Sequence, residues 1–268
     1  MGSVRRAHAL AAVLTVAAVL GALTSPAAAG QARAADKPTV VLVHGAFADS
    51  SSWNGVVSQL LAQGYPVLAV ANPLRGVKSD ADQVAAVLKS IDGPIVLVGH
   101  SYGGEVISAA ADGNPNVKAL VYVAAFAPDT GESAADLSAK FPGGTLGQAL
   151  APPVAVPGGD DLYIQQDKFR EQFAADVPVE QATQMAVTQR PIAQAALAEK
   201  AEAAAWKTIP SYFVYGSADK NIPAAVQDFM AKRAGAKETV VVGDASHVIM
   251  VSHPDVVAKM IQDAATAS

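Results

Sequence analysis

The stretch Val96-Leu97-Val98-Gly99-His100-Ser101-Tyr102-Gly103-Gly104 constrains this chain more than any other. Apolar β-formers that stop at a glycine-flanked serine read as a buried strand, a sharp turn and then a helix. Small residues two before and two after Ser101 let the backbone turn tightly enough to lift Oγ clear of a sheet, the geometry of a nucleophile elbow. A serine hydroxyl is a weak nucleophile by itself. It needs a base to take its proton, an acid to orient that base, and amide donors for the developing oxyanion. Such pentapeptides also occur as plain glycine-rich turns, so the elbow has meaning only if the chain supplies all three.

Strands and helices alternate around this stretch. Residues 39–43 form a β-branched strand that stops at His44-Gly45-Ala46-Phe47, and Asp49 and Ser50 to Ser52 offer N-caps for a helix over 53–63. Gly64 closes it, and 66–71 read as the next strand. Ser79, Asp80 and Asp82 open a helix whose Val84, Val87, Leu88 and Ile91 share one face. Beyond the elbow come a small-residue helix over 103–112 and a strand over 117–124 that ends in Phe126-Ala127-Pro128-Asp129. The pattern resumes with strands over 211–215 and 238–242, a helix from Pro223 to about 234, and a last helix near Pro254. Strands apolar on both faces, alternating with helices, predict an α/β fold: a mostly parallel central sheet with helices on both faces. Residues 131–206 break the register with prolines and glycines, then alanine- and glutamine-rich segments. They predict a helical cap insertion, without strands, over the carboxyl edge of the sheet.

The N-terminus reads separately. Arg5 and Arg6 precede an apolar run over 9–23, then Pro26 and Ala27-Ala28-Ala29. Charge, length and small residues make 1–29 a secretory signal peptide, with Ala34 as a later cleavage position, and leave a secreted domain over 37–268. A retained membrane anchor is the alternative, for which the run is short and alanine-rich. Once the leader is removed, no stable membrane insertion is expected. The net charge of −5 includes no basic stripe, so nothing points to nucleic acid. The chain has no cysteine, which excludes a thiolate nucleophile or a thiolate metal site.

Five histidines compete for the role of base. His8 leaves with the leader, His44 suits bracing of its own loop, and His100 precedes the serine where the turn points it away. His247 follows the last strand and is the candidate, with His253 at a helix start as the alternative. For the acid, Asp219 and Asp129 both follow a strand end and keep the order Ser, Asp, His, and Asp244 lies near the base. Asp219 is preferred because its strand neighbours the one before His247. Backbone amides of Tyr102 and Ala46 are the oxyanion donors, Gly45 allowing close approach. Phe47 and Trp53 are candidate pocket residues in positions that also suit a core. Glu105 reads as a favourable first-turn acid of its helix without a catalytic role.

These motifs, together with Val41-Leu42-Val43-His44-Gly45-Ala46, Val123-Ala124-Ala125-Phe126-Ala127-Pro128-Asp129 and Asp219-Lys220-Asn221-Ile222-Pro223, resemble the α/β-hydrolase fold superfamily across essentially all of the mature chain. Within it the chain is most similar to plant methylesterases, hydroxynitrile lyases and their bacterial esterase relatives. The resemblance implies Ser101, Asp219 and His247 as the triad, and Asp129 as a pocket-side or structural residue. Hydroxynitrile lyases of this branch need lysine after the catalytic histidine and threonine after the first-strand histidine. Here Val248 and Gly45 stand there.

The expectation is a secreted carboxylesterase that cleaves small or moderately apolar esters through an acyl-enzyme, with no metal and no organic cofactor called for. Dehalogenase and epoxide hydrolase chemistry would need a carboxylate at the elbow. A lyase or C–C bond hydrolase on the same triad is one alternative, and a non-catalytic secreted binding protein is the other. Phe141, Tyr163, Phe169 and Phe173 in the cap fit an apolar pocket or the cap's own core.

Overall fold

The computed structural model describes residues 37–267, so the leader and its cleavage positions lie outside the described residues. Six parallel strands form the central sheet: β1 (Thr39–Val43), β2 (Val67–Val70), β3 (Ile95–His100), β4 (Val117–Val123), β8 (Ser211–Gly216) and β9 (Glu238–Val242). Their spatial order is β2-β1-β3-β4-β8-β9. β3 sits mid-sheet, with Val43 opposite Gly99 and His100 opposite Val123, so the loops after β1, β3 and β4 emerge at one edge. β3 and β8 are buried along their whole length, whereas the edge strands β2 and β9 are only partly covered. Continuous apolar runs belong to strands covered on both faces, which is why the inner strands were the plainest in the sequence.

The intervening helices are α1 (Asn54–Ala62), α2 (Val77–Lys89), α3 (Tyr102–Ala110), α9 (Ala224–Arg233), α10 (Ile249–Ser252) and α11 (Pro254–Thr266). α1 packs on α11, which lies along β3, β4 and β8, while α2 packs on α3. Between β4 and β8 the chain makes α4 (Ala134–Lys140), α5 (Leu146–Ala149), α6 (Gln166–Phe173), α7 (Val179–Thr188) and α8 (Gln194–Ala198). It also makes three short strands, β5 (Val154–Val156), β6 (Gly159–Leu162) and β7 (Ile192–Ala193), paired antiparallel. This corrects the expectation of a strandless insertion: β5 and the first half of β6 are exposed, so neither carries the apolar run of a buried strand.

The cap is tied to the loop after β2. Arg75 pairs with Asp161 at 2.6 Å and donates to the Pro191 carbonyl. Glu199 accepts from the backbone N–H groups of Val77 (2.8 Å) and Lys78 (3.0 Å), the first amides of α2. α2 therefore begins two residues before the expected Ser79, its orphan donors met by a carboxylate from the cap rather than by a local side chain. No helix among the described residues is long and apolar enough to cross a membrane.

Candidate active site

Ser101 stands between β3 and α3 with φ 55° and ψ −125°, a left-handed conformation that a non-glycine residue holds only when its surroundings enforce it. The enforcement is close packing. A Cβ on Gly99 would lie 2.6 Å from the Gly103 carbonyl oxygen, and one on Gly103 would lie 2.6 Å from that of Val43. Only glycine fits at either place, so the turn can be sharp and the hydroxyl is pushed to the carboxyl edge.

His247 reaches the serine from the loop after β9, its Nε2 2.9 Å from Ser101 Oγ. Its Nδ1 is 2.7 Å from Asp219 Oδ2. All three side chains are buried. Asp219 follows β8 and is fully engaged: Oδ1 accepts from the amides of Asn221 (2.8 Å) and Ile222 (2.9 Å), and Oδ2 also accepts from Gln227 Nε2 at 3.0 Å. Gln227 on α9 escaped the sequence reading. Its only signal there is a polar residue eight positions past Asp219, at a place buried in the fold.

The other candidates for base and acid are placed elsewhere. His44 Nε2 accepts from the Asn72 amide at 3.0 Å, so its proton sits on Nδ1, which donates to the Gly45 carbonyl at 2.9 Å. It braces two loops, and burial lowers its pKa. His100 points away from Ser101 and donates Nε2–H to the His247 carbonyl at 3.2 Å, with its ring 4.8 Å from that of His247. Burial, then the neighbouring His247, push its pKa well below the usual imidazole value, so it stays neutral. Asp129 pairs with Lys207, Asp244 lies in a left-handed turn held by Ser217, and His253 faces Ser252 and Asp176. None of these three touches Ser101.

Neither the Ala46 nor the Tyr102 N–H has an acceptor among the described residues. The next amide, that of Phe47, is committed to the Arg190 carbonyl of the cap at 2.9 Å, which holds the turn still. A Cβ on Gly45 would lie 2.7 Å from Ser101 Cβ, so the first-strand loop presses directly on the elbow. Phe173 packs against the base, its ring 5.1 Å from that of His247 and 5.0 Å from Phe169.

Ser101 opens onto a cavity of about 430 Å³ whose lining includes Phe47, Phe126, Leu146, Leu150, Leu197 and Ile222 and no charged residue. Phe47 is thus a pocket residue. Trp53 is not: it is fully buried, 6.4 Å from the His100 ring, and its expected place in the pocket is corrected. An aromatic at a helix start supports either role, and here the packing beneath the histidines claimed it. The cap aromatics Phe141, Tyr163, Phe169 and Phe173 are likewise absent from the lining, which α4, α5 and α8 supply. A larger recess of about 640 Å³ lies between α2 and α3, away from the serine.

Glu105 also departs from expectation. It lies in the first turn of α3, as its sequence position implies, but fully buried and with both carboxylate oxygens unpartnered, so it offers the helix no solvated charge. Burial, with Glu199 and Asp136 adding to it, holds its carboxyl well above the usual range.

Comparison with known proteins bears on the family and the fold. A family model described as "Alpha/beta hydrolase family" matches residues 40–260. Pyrethroid hydrolase of Sphingobium wenxiniae is 31% identical over 256 residues, covering 85% of this chain and 88% of that protein. Methylesterase 2 of Arabidopsis thaliana is 26% identical over 242 residues, covering 81% and 92%. The crystal structure of polyneuridine aldehyde esterase superposes with a TM-score of 0.74 at 21% identity, over 85% of this chain and 98% of that one.

Proposed function

This chain belongs to the alpha/beta hydrolase family, and on that premise we propose that it is a serine carboxylesterase. The observation that carries the reading is the hydrogen-bonded run from Asp219 through His247 to Ser101, opening onto an uncharged, largely apolar cavity. His247 Nε2 takes the hydroxyl proton as Oγ attacks the ester carbonyl carbon. The oxyanion accepts from the Ala46 and Tyr102 amides, each such donor being worth about 10²–10³ in kcat. His247 then returns the proton to the departing alkoxide, and the alcohol leaves. A water deprotonated by His247 attacks the acyl carbon, releasing the acid and restoring Ser101. Asp219 holds the imidazole with Nε2 free to accept and stabilises its cation.

The named relatives act, by their names, on pyrethroids and as a methylesterase, and this supports an ester as the small-molecule substrate here. Cyanohydrin lyase chemistry lacks support, since buried Val248 occupies the position after His247 and Gly45 that after His44. The test is hydrolysis of short p-nitrophenyl esters with fluorophosphonate labelling, both abolished in Ser101→Ala. Wild-type protein that neither turns over these esters nor takes the label would overturn the esterase reading. We also propose export with loss of the leader, checked by N-terminal sequencing of protein from the culture medium.

A further inference from the structure

Asn221 lines the cavity over Ser101, and the neighbours of its side-chain amide determine which way round that amide sits. Gln172 on α6 donates from Nε2 to the Lys220 carbonyl at 3.1 Å, which identifies the nitrogen end of its own carboxamide. The Thr145 hydroxyl donates to the other end, Oε1, at 2.8 Å. The same Gln172 Nε2 also donates to Asn221 Oδ1 at 2.7 Å. The atom of Asn221 that faces Gln172 is therefore oxygen, and Nδ2 is the end turned elsewhere.

Nδ2 has no acceptor among the described residues, nor is it one of the enclosed, unpartnered side-chain atoms, so it is accessible, on a residue that lines the cavity. It is also held still. The backbone amide of Asn221 donates to Asp219 Oδ1, and its Oδ1 is pinned by the cap, so the N–H₂ group is preorganised. The same cavity is lined by Leu146, Leu150 and Ile222, whose side chains offer no hydrogen-bond acceptor. Apart from Ser101, the hydroxyl residues of the lining are Tyr102, which donates to Asp80 at 2.9 Å, and Ser138, which is exposed. A donor among apolar walls carries a desolvation cost that a ligand oxygen removes and a methylene does not.

We propose that Asn221 is a specificity-determining residue whose Nδ2–H₂ donates to a substrate oxygen other than the scissile carbonyl. The preferred substrates are neutral esters with a second acceptor oxygen, keto or ether, in the group that fills the cavity. A carboxylate is the wrong acceptor, because no cation lines the cavity to offset its desolvation. The proposal rests on the cavity over Ser101 being the ester site.

The test compares oxygen-for-methylene pairs by pH-stat: methyl 4-methoxybutanoate against methyl hexanoate for the acyl side, and 2-methoxyethyl acetate against butyl acetate for the alcohol side. For each pair the ratio of kcat/KM is measured in wild type and in Asn221→Leu, which cancels the intrinsic reactivity of the esters. In at least one pair the ratio is expected to fall about tenfold in the variant, the worth of one hydrogen bond in a dry site. A ratio equal in both proteins for both pairs overturns the proposal, as does an equal loss for both members, which is what a merely structural role would give. Asn221→Ala replaces Asn221→Leu should the latter not fold. Calorimetric binding of the same esters to Ser101→Ala and Ser101→Ala/Asn221→Leu needs no turnover. It is expected to show the oxygen member alone bound about tenfold more weakly by the double variant, and equal binding overturns the proposal. Absence of turnover with intact binding discrimination would sink the esterase reading and leave the role of Asn221 standing.

Discussion

Replacing Glu105 by glutamine tests the reading of that residue as a buried neutral acid. In the unfolded chain a glutamate ionises near pH ~4.3. Below that pH both states hold the proton, and Glu105 adds no pH dependence. Above it the unfolded chain releases a proton that the native protein keeps, because burial, reinforced by Glu199 and Asp136, raises the native pKa. The native state then loses about 1.4 kcal/mol per pH unit until the native carboxyl itself ionises. Glutamine keeps the shape and removes the titration. Its stability advantage over wild type should be near zero at about pH 4 and widen by about 1.4 kcal/mol per pH unit above that. For a domain of this size the gap in Tm should open by about 3–6 °C per pH unit. Thermal melts of both proteins at a series of pH values between 4 and 7 measure it. A Tm difference independent of pH, or a variant less stable than wild type at neutral pH, would refute the reasoning.

Asp219→Asn should lower kcat about 10⁴-fold, the loss seen when the acid of a serine triad can no longer hold its histidine; steady-state kinetics on a p-nitrophenyl ester reads it. Gln227→Leu removes the donor to Asp219 Oδ2 and should cost about tenfold in kcat with thermal stability reported alongside, and an unchanged kcat would remove Gln227 from the positioning of the acid. Gly99→Ala would put a methyl 2.6 Å from the Gly103 carbonyl oxygen and should destabilise by about 2–3 kcal/mol, read as a fall in the urea midpoint. A variant that unfolds like wild type would mean the elbow is looser than its packing implies.

What was legible in the sequence and what was not divide along a physical line. β3 and β8 were plain because strands buried on both faces must be apolar throughout. Ser101, Asp219 and His247 were readable because each follows a strand end, where a parallel sheet gathers its loops. Most of the misses depend on contacts between distant parts of the chain. Nothing near Val77 announces a helix start, because its cap is Glu199. Nothing local marks Glu105 as dry, because its charged neighbours Glu199, Asp136 and Lys200 come from the cap segment. Trp53 and Phe47 carry the same local signal, and only the three-dimensional packing sends one to the core and the other to the cavity. β5 and β6 lack the apolar alternation of a half-buried pair, so their exposed residues read as a loop.

The Glu199 clamp also sets an order of assembly. The amides that open α2 wait for a carboxylate 122 residues further along the chain, and Ser101 waits 146 residues for His247. Neither site has its partner while the intervening residues are being made. A chain exported by an unfolded route would therefore cross the membrane with its hydrolytic centre unassembled. Such a chain would carry its nucleophile without its base until the residues after β9 had followed it across.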